Sequence, residues 1–152
     1  ITPLLWNDQT TVTAANYDNE FLTTYQGRMV SLETPISYMF KGEMRNDTIV
    51  QQYMHLNGVQ MAVENTNVQA LSTIIGLSGN SGQWEGDSYA PHLHLDISTG
   101  QNGSPYLDLM ASNYQSEIMS SYNYRDRYYY DPLMFFQDNS YSIRDDAWSY
   151  NK

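Results

Sequence analysis

The side chains best suited to chemistry are the three histidines, His55, His92 and His94. Two of them form His92-Leu93-His94, inside the alternating stretch Leu93-His94-Leu95-Asp96-Ile97. On a β-strand, residues two apart point to the same face. Two imidazoles on one face can serve one site, as a metal ligand and as an acid or base, because neutral imidazole binds metals and titrates near working pH. The same spacing also suits two polar residues on a solvated strand face. Asp96 shares that face with His94, either as a hydrogen-bond acceptor for the imidazole or as an ordinary solvated carboxylate. The chain has no cysteine, which excludes thiolate metal sites, disulfide scaffolds and a Cys nucleophile.

Short strands are the elements that must hold these residues. After Gly27, residues 28–32 alternate polar and apolar, and residues 48–56 are rich in strand formers and carry His55 near their end. Residues 59–63 (Val-Gln-Met-Ala-Val) alternate again at the period of a half-buried strand. Ile74-Ile75-Gly76-Leu77 is a short apolar run stopped by Ser78-Gly79-Asn80-Ser81-Gly82, a strong turn signal. This pattern predicts an all-β or β-rich α+β domain built on an antiparallel sheet. Two short helices are expected towards the C-terminus, one started by Ser104-Pro105 with Tyr106, Leu107, Leu109 and Met110 on its apolar side, the other over 113–121. The length of 152 residues suits one domain, taken as 1–136 with a core over 20–98. Residues 137–152 read as a C-terminal extension, with Ile143 and Trp148 as anchors.

Composition narrows the partners. Seven Lys+Arg against 17 Asp+Glu leave a formal charge of −10, which argues against nucleic acid or an anionic membrane as the main partner. No apolar run is long enough for a transmembrane helix, and Ile-Thr-Pro-Leu-Leu-Trp at the start does not read as a signal peptide. Tyrosine is frequent, with 14 in the chain and a cluster at Tyr122, Tyr124, Tyr128, Tyr129 and Tyr130. An apolar ring with a polar tip suits both half-buried sheet positions and polymer-binding grooves.

Four pieces occur in a specific order: Tyr53-Met54-His55-Leu56, then Ile75-Gly76, then the Ser78–Gly82 turn, then Pro91-His92-Leu93-His94. This series resembles the LytM/lysostaphin family of zinc endopeptidases that cut peptidoglycan cross-bridges. The resemblance covers about residues 20–98, and Asp131-Pro132-Leu133 is similar to the Asp-Pro that commonly closes that domain. It implies a lysostaphin-like (duplicated hybrid motif) fold and an extracellular, cell-envelope or virion-associated protein. It further implies that His94 is a zinc ligand, that His92 is a general base or polarises the attacking water, and that His55 orients that water or stabilises the oxyanion. Zinc would be the cofactor and peptidoglycan peptide the substrate, with Tyr53 lining the groove; Trp84 and Tyr89, on the segment before Ala90-Pro91, stand beside it, either to stack on a sugar or peptide or to pack that segment onto the domain.

The pattern departs from the family upstream. The family's other two ligands come from a His-x-x-x-Asp motif, and no histidine precedes His55. With Gly27-Arg28-Met29-Val30 aligned to the family's Gly-x-Val strand, the His position falls near Asp8 and the Asp position near Val12. Asp8, Asp18 and Glu20 are the nearby carboxylates, and Asp8 is the weak candidate for a substitute ligand. Leu71 stands near a usual turn glycine, and the segment 83–89 is longer than the family loop. Three explanations remain open: a degenerate site without metal, a fragment whose first strands lie on another polypeptide, or an oxygen-rich site that prefers a harder metal. The balance leans to a degenerate site. Two other functions stand beside an active peptidase, a non-catalytic module binding peptide or a protein partner, and a structural component of a cell-surface or virion assembly.

Overall fold

A computed structural model of the chain describes residues 5–6, 9–40, 42–70, 72–99 and 129–130. The described strands, in chain order, are β1 (Leu5–Trp6), β2 (Thr11–Asn16), β3 (Met29–Phe40), β4 (Glu43–Met54), β5 (Gln83–Trp84), β6 (Asp87–Ser88), β7 (His94–Thr99) and β8 (Tyr129–Tyr130). The only helical piece among the described residues is the 3-10 segment Asn19–Thr23.

β3 and β4 form one long hairpin at the centre. Their antiparallel register runs without a break from Val30↔Tyr53 to Phe40↔Glu43. Val30, Thr34 and Ile36 on one strand, and Thr48, Ile49, Val50 and Tyr53 on the other, are residues that favour a pleated, half-buried surface. Gly42 supplies the positive φ of +81° at the tight connection between them. The sequence marked shorter strands here, over 28–32 and 48–56. Both reach further towards the hairpin turn, while β4 stops at Met54, two residues short of the expected end; Pro35 does not break β3. Pro35 stands between the two stretches of β3 that pair with β2 (as far as Glu33) and with β1 (from Ile36), where no ladder donor is required.

β7 pairs with the free edge of β4, from Met54↔His94 to Ile49↔Thr99, and β8 pairs with β7. The sheet order is therefore β1-β3-β4-β7-β8, with β2 also on β3. Val12, Tyr17, Val30, Leu32, Leu56, Ala62 and Val68 form a buried cluster against one part of this sheet, and Ala15, Tyr53 and Ile75 pack on it. Burying each large aliphatic side chain contributes about 1.5–3 kcal/mol.

Two expectations are corrected. Residues 59–63 form no strand, and their burial is inverted: Ala62 is buried while Val59, Met61 and Val63 are 53%, 40% and 56% exposed. The reason is where the chain docks on β2. The hydrogen bonds to that edge come from residues 65–68, through Val12 N–H to Thr66 O, Asn65 N–H to Val12 O and Val68 N–H to Thr10 O. The apolar run at Ile74–Leu77 is likewise no strand. Ile74 and Leu77 are exposed, while Ile75 packs on the core and its carbonyl accepts from the Tyr17 hydroxyl at 2.6 Å. The β-rich antiparallel reading agrees with the described sheet. The helix candidates at Ser104–Met110 and 113–121, and the extension 137–152, lie outside the described residues.

Candidate functional site

His55 is the first residue beyond β4, and its backbone turns there with φ +58°. A left-handed conformation in a residue with a Cβ costs about 1–2 kcal/mol, so neighbouring contacts must hold it. They are the hydrogen bonds from His55 N–H to Gln26 O (3.0 Å) and from Leu56 N–H to Arg28 O (2.9 Å). The sharp turn leaves the ring fully buried, with 1% exposure.

The Ser78–Gly82 turn closes over this bend, and its glycines explain how. A Cβ on Gly79 would stand 2.7 Å from Asn57 N, and one on Gly82 would stand 2.8 Å from Gly27 N. Gly27 in turn meets Ser81 O, 2.3 Å from where its own Cβ would be. Only bare backbone allows three segments to approach this closely. Ser81 joins them: its hydroxyl accepts from Arg28 N–H (2.9 Å) and donates to Leu56 O (2.8 Å). Gly79 also bridges to the other histidines, since His92 N–H donates to its carbonyl at 3.0 Å. His94 opens β7 opposite Met54, one residue from His55 along β4.

These constraints bring His55, His92 and His94 together. Each offers one ring nitrogen, and the three lie within 4.8 Å of one another. Ring centroids are 4.6 Å apart for His55–His92 and 5.4 Å for His55–His94. Each ring is tied through one nitrogen. His55 Nδ1 meets Ser81 O at 2.9 Å, His92 Nδ1 meets Ala90 O at 2.7 Å, and His94 Nε2 meets Asp96 Oδ1 at 3.1 Å. A carbonyl or carboxylate oxygen only accepts, so these nitrogens carry the protons. The lone pairs are therefore on Nε2 of His55 and His92 and on Nδ1 of His94. Tying one nitrogen in this way is how metal-binding histidines are oriented. Asp96 thus takes the acceptor role that its spacing from His94 suggested. Burial holds the pKa of His55 below its ordinary 6.5, and the neighbouring His92 and His94 lower it further against the raising effect of the Ser81 carbonyl and Asp96. His55 is neutral at pH 7 and able to accept a proton.

An aromatic wall borders the cluster. Tyr25 stands edge-on to Trp84 (5.4 Å between centroids), Tyr89 (6.1 Å), His94 (6.1 Å) and His55 (6.2 Å). Tyr89 also packs on His55 at 4.2 Å. Segment 83–89, expected as a loop, is the β5–β6 hairpin, with positive φ at both turn residues, Glu85 (51°) and Gly86 (92°). That is the two-residue turn whose twist matches its strands. Tyr89 is thereby brought to His55 and His92, and Trp84 to Tyr25. Tyr53, two residues before His55, is half-buried against the core, and its hydroxyl donates to Gln51 at 2.6 Å. Sequence reasoning missed Tyr25 and the bridging Ser81. No periodicity marks Tyr25; its only signal is its nearness to Gly27, the glycine over which Ser81 and Gly82 pack.

Among the described residues, His55, His92 and His94 form the group that could hold a metal ion. Nitrogens around a tetrahedral zinc sit about 3.3 Å apart, given bonds of ~2.0–2.1 Å. The 4.8 Å within which the three nitrogens lie exceeds that spacing by about 1.5 Å. The upstream ligands are not matched. Val12, near the family's Asp position, is a fully buried apolar residue of the core cluster. Asp18 and Glu20 are exposed beside the 3-10 segment, and Asp8 lies outside the described residues. No family model, curated protein or solved structure matches the chain.

Proposed function

We propose that this chain is a lysostaphin-like metallopeptidase domain whose histidine groove takes a peptide of the bacterial cell wall, outside the cell or on a virion. The observation that carries the reading is the convergence of three imidazoles, each tied through one nitrogen and free at the other. The order of the Tyr53–Leu56, Ser78–Gly82 and Pro91–His94 motifs supports it. In this reading His94 would be a zinc ligand through Nδ1, with Asp96 accepting from its Nε2. Bound zinc would polarise the scissile carbonyl and acidify a water. His55, kept neutral by burial, would take the water's proton at Nε2 and return it to the leaving amine, and His92 at the rim would orient that water through Nε2. Tyr25, Trp84 and Tyr89 wall the groove and hold the peptide chain. Zinc content by elemental analysis tests this directly. The wild type retains about one zinc per chain after dialysis, and His94→Ala retains none; a wild type without metal after soaking in zinc contradicts the reading.

A second reading is favoured by Val12, an apolar core residue where the resemblance expects a carboxylate ligand. Without that ligand the groove binds peptide or a protein partner and does not cut. Peptide binding that survives EDTA, with no cleavage in zinc, identifies this case.

A further inference from the structure

Among the described residues, two buried side-chain polar atoms lack a hydrogen-bond partner, Tyr89 Oη and Ser98 Oγ. Ser98 lies four residues along β7 from His94, whereas Tyr89 lies on the histidine cluster itself. Its ring is 4.2 Å from His55 and 5.6 Å from His92. A phenol hydroxyl withdrawn from water without an acceptor is costly, and buried hydroxyls normally find one.

We propose that Tyr89 Oη is the hydrogen-bond donor that receives the carbonyl oxygen of the bound peptide beside His55 and His92. The proposal rests on the reading of the groove as a peptide site. Three features of the chain support it. The β5–β6 hairpin fixes the approach to Tyr89, so the phenol is delivered by a defined element. Its ring packs on His55 and meets the edge-on Tyr25, two contacts that limit where the ring can go. Tyr89 and His92 also belong to one short segment, which His92 Nδ1–H braces by donating to Ala90 O. A donor, a proton acceptor on His55 and a rim imidazole then face the same amide. The hydroxyl can donate to a carbonyl oxygen, and a peptide backbone bound here supplies that oxygen. As negative charge develops on that oxygen the hydrogen bond strengthens, which makes Tyr89 a catalytic donor and not only a contact.

The test is Tyr89→Phe, which keeps the ring on His55 and removes only the hydroxyl, with Ser98→Ala, which removes the other unpartnered hydroxyl, as the control. A soluble cross-linked muropeptide is titrated calorimetrically in EDTA, and turnover is then measured with zinc. For Tyr89→Phe, affinity in EDTA is expected to fall about fivefold, the effect of one lost hydrogen bond. Its kcat is expected to fall about 10²–10³-fold, as for loss of an oxyanion donor. Its melting temperature is expected to hold or rise, because an unpartnered buried group has been removed. Ser98→Ala leaves affinity unchanged. An affinity equal to wild type in Tyr89→Phe, or a marked drop in its melting temperature, overturns the donor role. If wild type binds without turning over and Tyr89→Phe binds more weakly, hydrolysis falls and the donor stands. If both turn over equally, hydrolysis stands and the donor falls. If wild type binds no muropeptide, both fall.

Discussion

His55 is neutral at a pH where an exposed histidine is part-charged, and the cause is burial among two other imidazoles, Tyr25 and Tyr89, with Asp96 beyond. A folded-state pKa below the unfolded 6.5 means that the unfolded chain binds more protons in that window. Stability is then undiminished above pH 6.5 and declines as pH falls from there through the folded pKa. Thermal melts between pH 7.5 and 5.0 are expected to show this decline, and His55→Asn to flatten it; an equal decline in both would remove His55 as its source. Where His94 takes zinc as proposed, Asp96 acts through it, and Asp96→Asn is expected to weaken that binding about 10–100-fold without abolishing it. A chelator competition titration reads this, and unchanged affinity would leave Asp96 as a surface acid. At this scale the sequence was informative where side chains repeat at a strand's period, as His92, His94 and Asp96 do. It was silent on Tyr25, which reaches the site from a segment without periodicity.

Among the elements, the Ser78–Gly82 turn does most to assemble the site. It packs bare backbone against residues 24–27 and 55–57, and it presents the Ser81 carbonyl to His55. Gly79→Ala is expected to destabilise the domain by about 2–4 kcal/mol, since its Cβ would stand 2.7 Å from Asn57 N with no flexible atom to yield. Ser81→Ala removes two hydrogen bonds, and is expected to cost about 1–3 kcal/mol. Denaturant unfolding measures both, and a loss under 0.5 kcal/mol in either, about the level of a neutral surface change, would show that the turn is not the clamp described. The turn was legible as a turn, because glycine and serine cluster there. That it clamps His55 was not, since close approach of backbones leaves no trace in hydropathy. The strand expected over 59–63 failed for a related reason. Alternation of Val59, Met61 and Val63 fits a strand period, but tertiary docking onto β2 begins at Asn65 and leaves those side chains in water.

For the whole molecule, the β-rich antiparallel architecture follows from short strand-forming runs between turn residues, and the described sheet agrees with it. The central hairpin puts the end of β4 next to the start of β7, which is why His55 and the His92-Leu93-His94 pair meet although 36 residues separate His55 from His92. No described helix is long and apolar enough to cross a membrane. The net charge of −10 predicts that the chain does not bind anionic vesicles at about 0.1 M salt, where surface charges act within ~10 Å. A sedimentation assay showing vesicle-bound protein would overturn that. The central claim is that the histidine groove hydrolyses cell-wall peptide with a metal. Mass spectrometry of purified peptidoglycan fragments incubated with zinc-loaded protein tests it most directly. The account predicts new peptide termini that EDTA prevents and that His94→Ala and His55→Ala no longer produce; fragments that stay intact with the zinc-loaded wild type would contradict it.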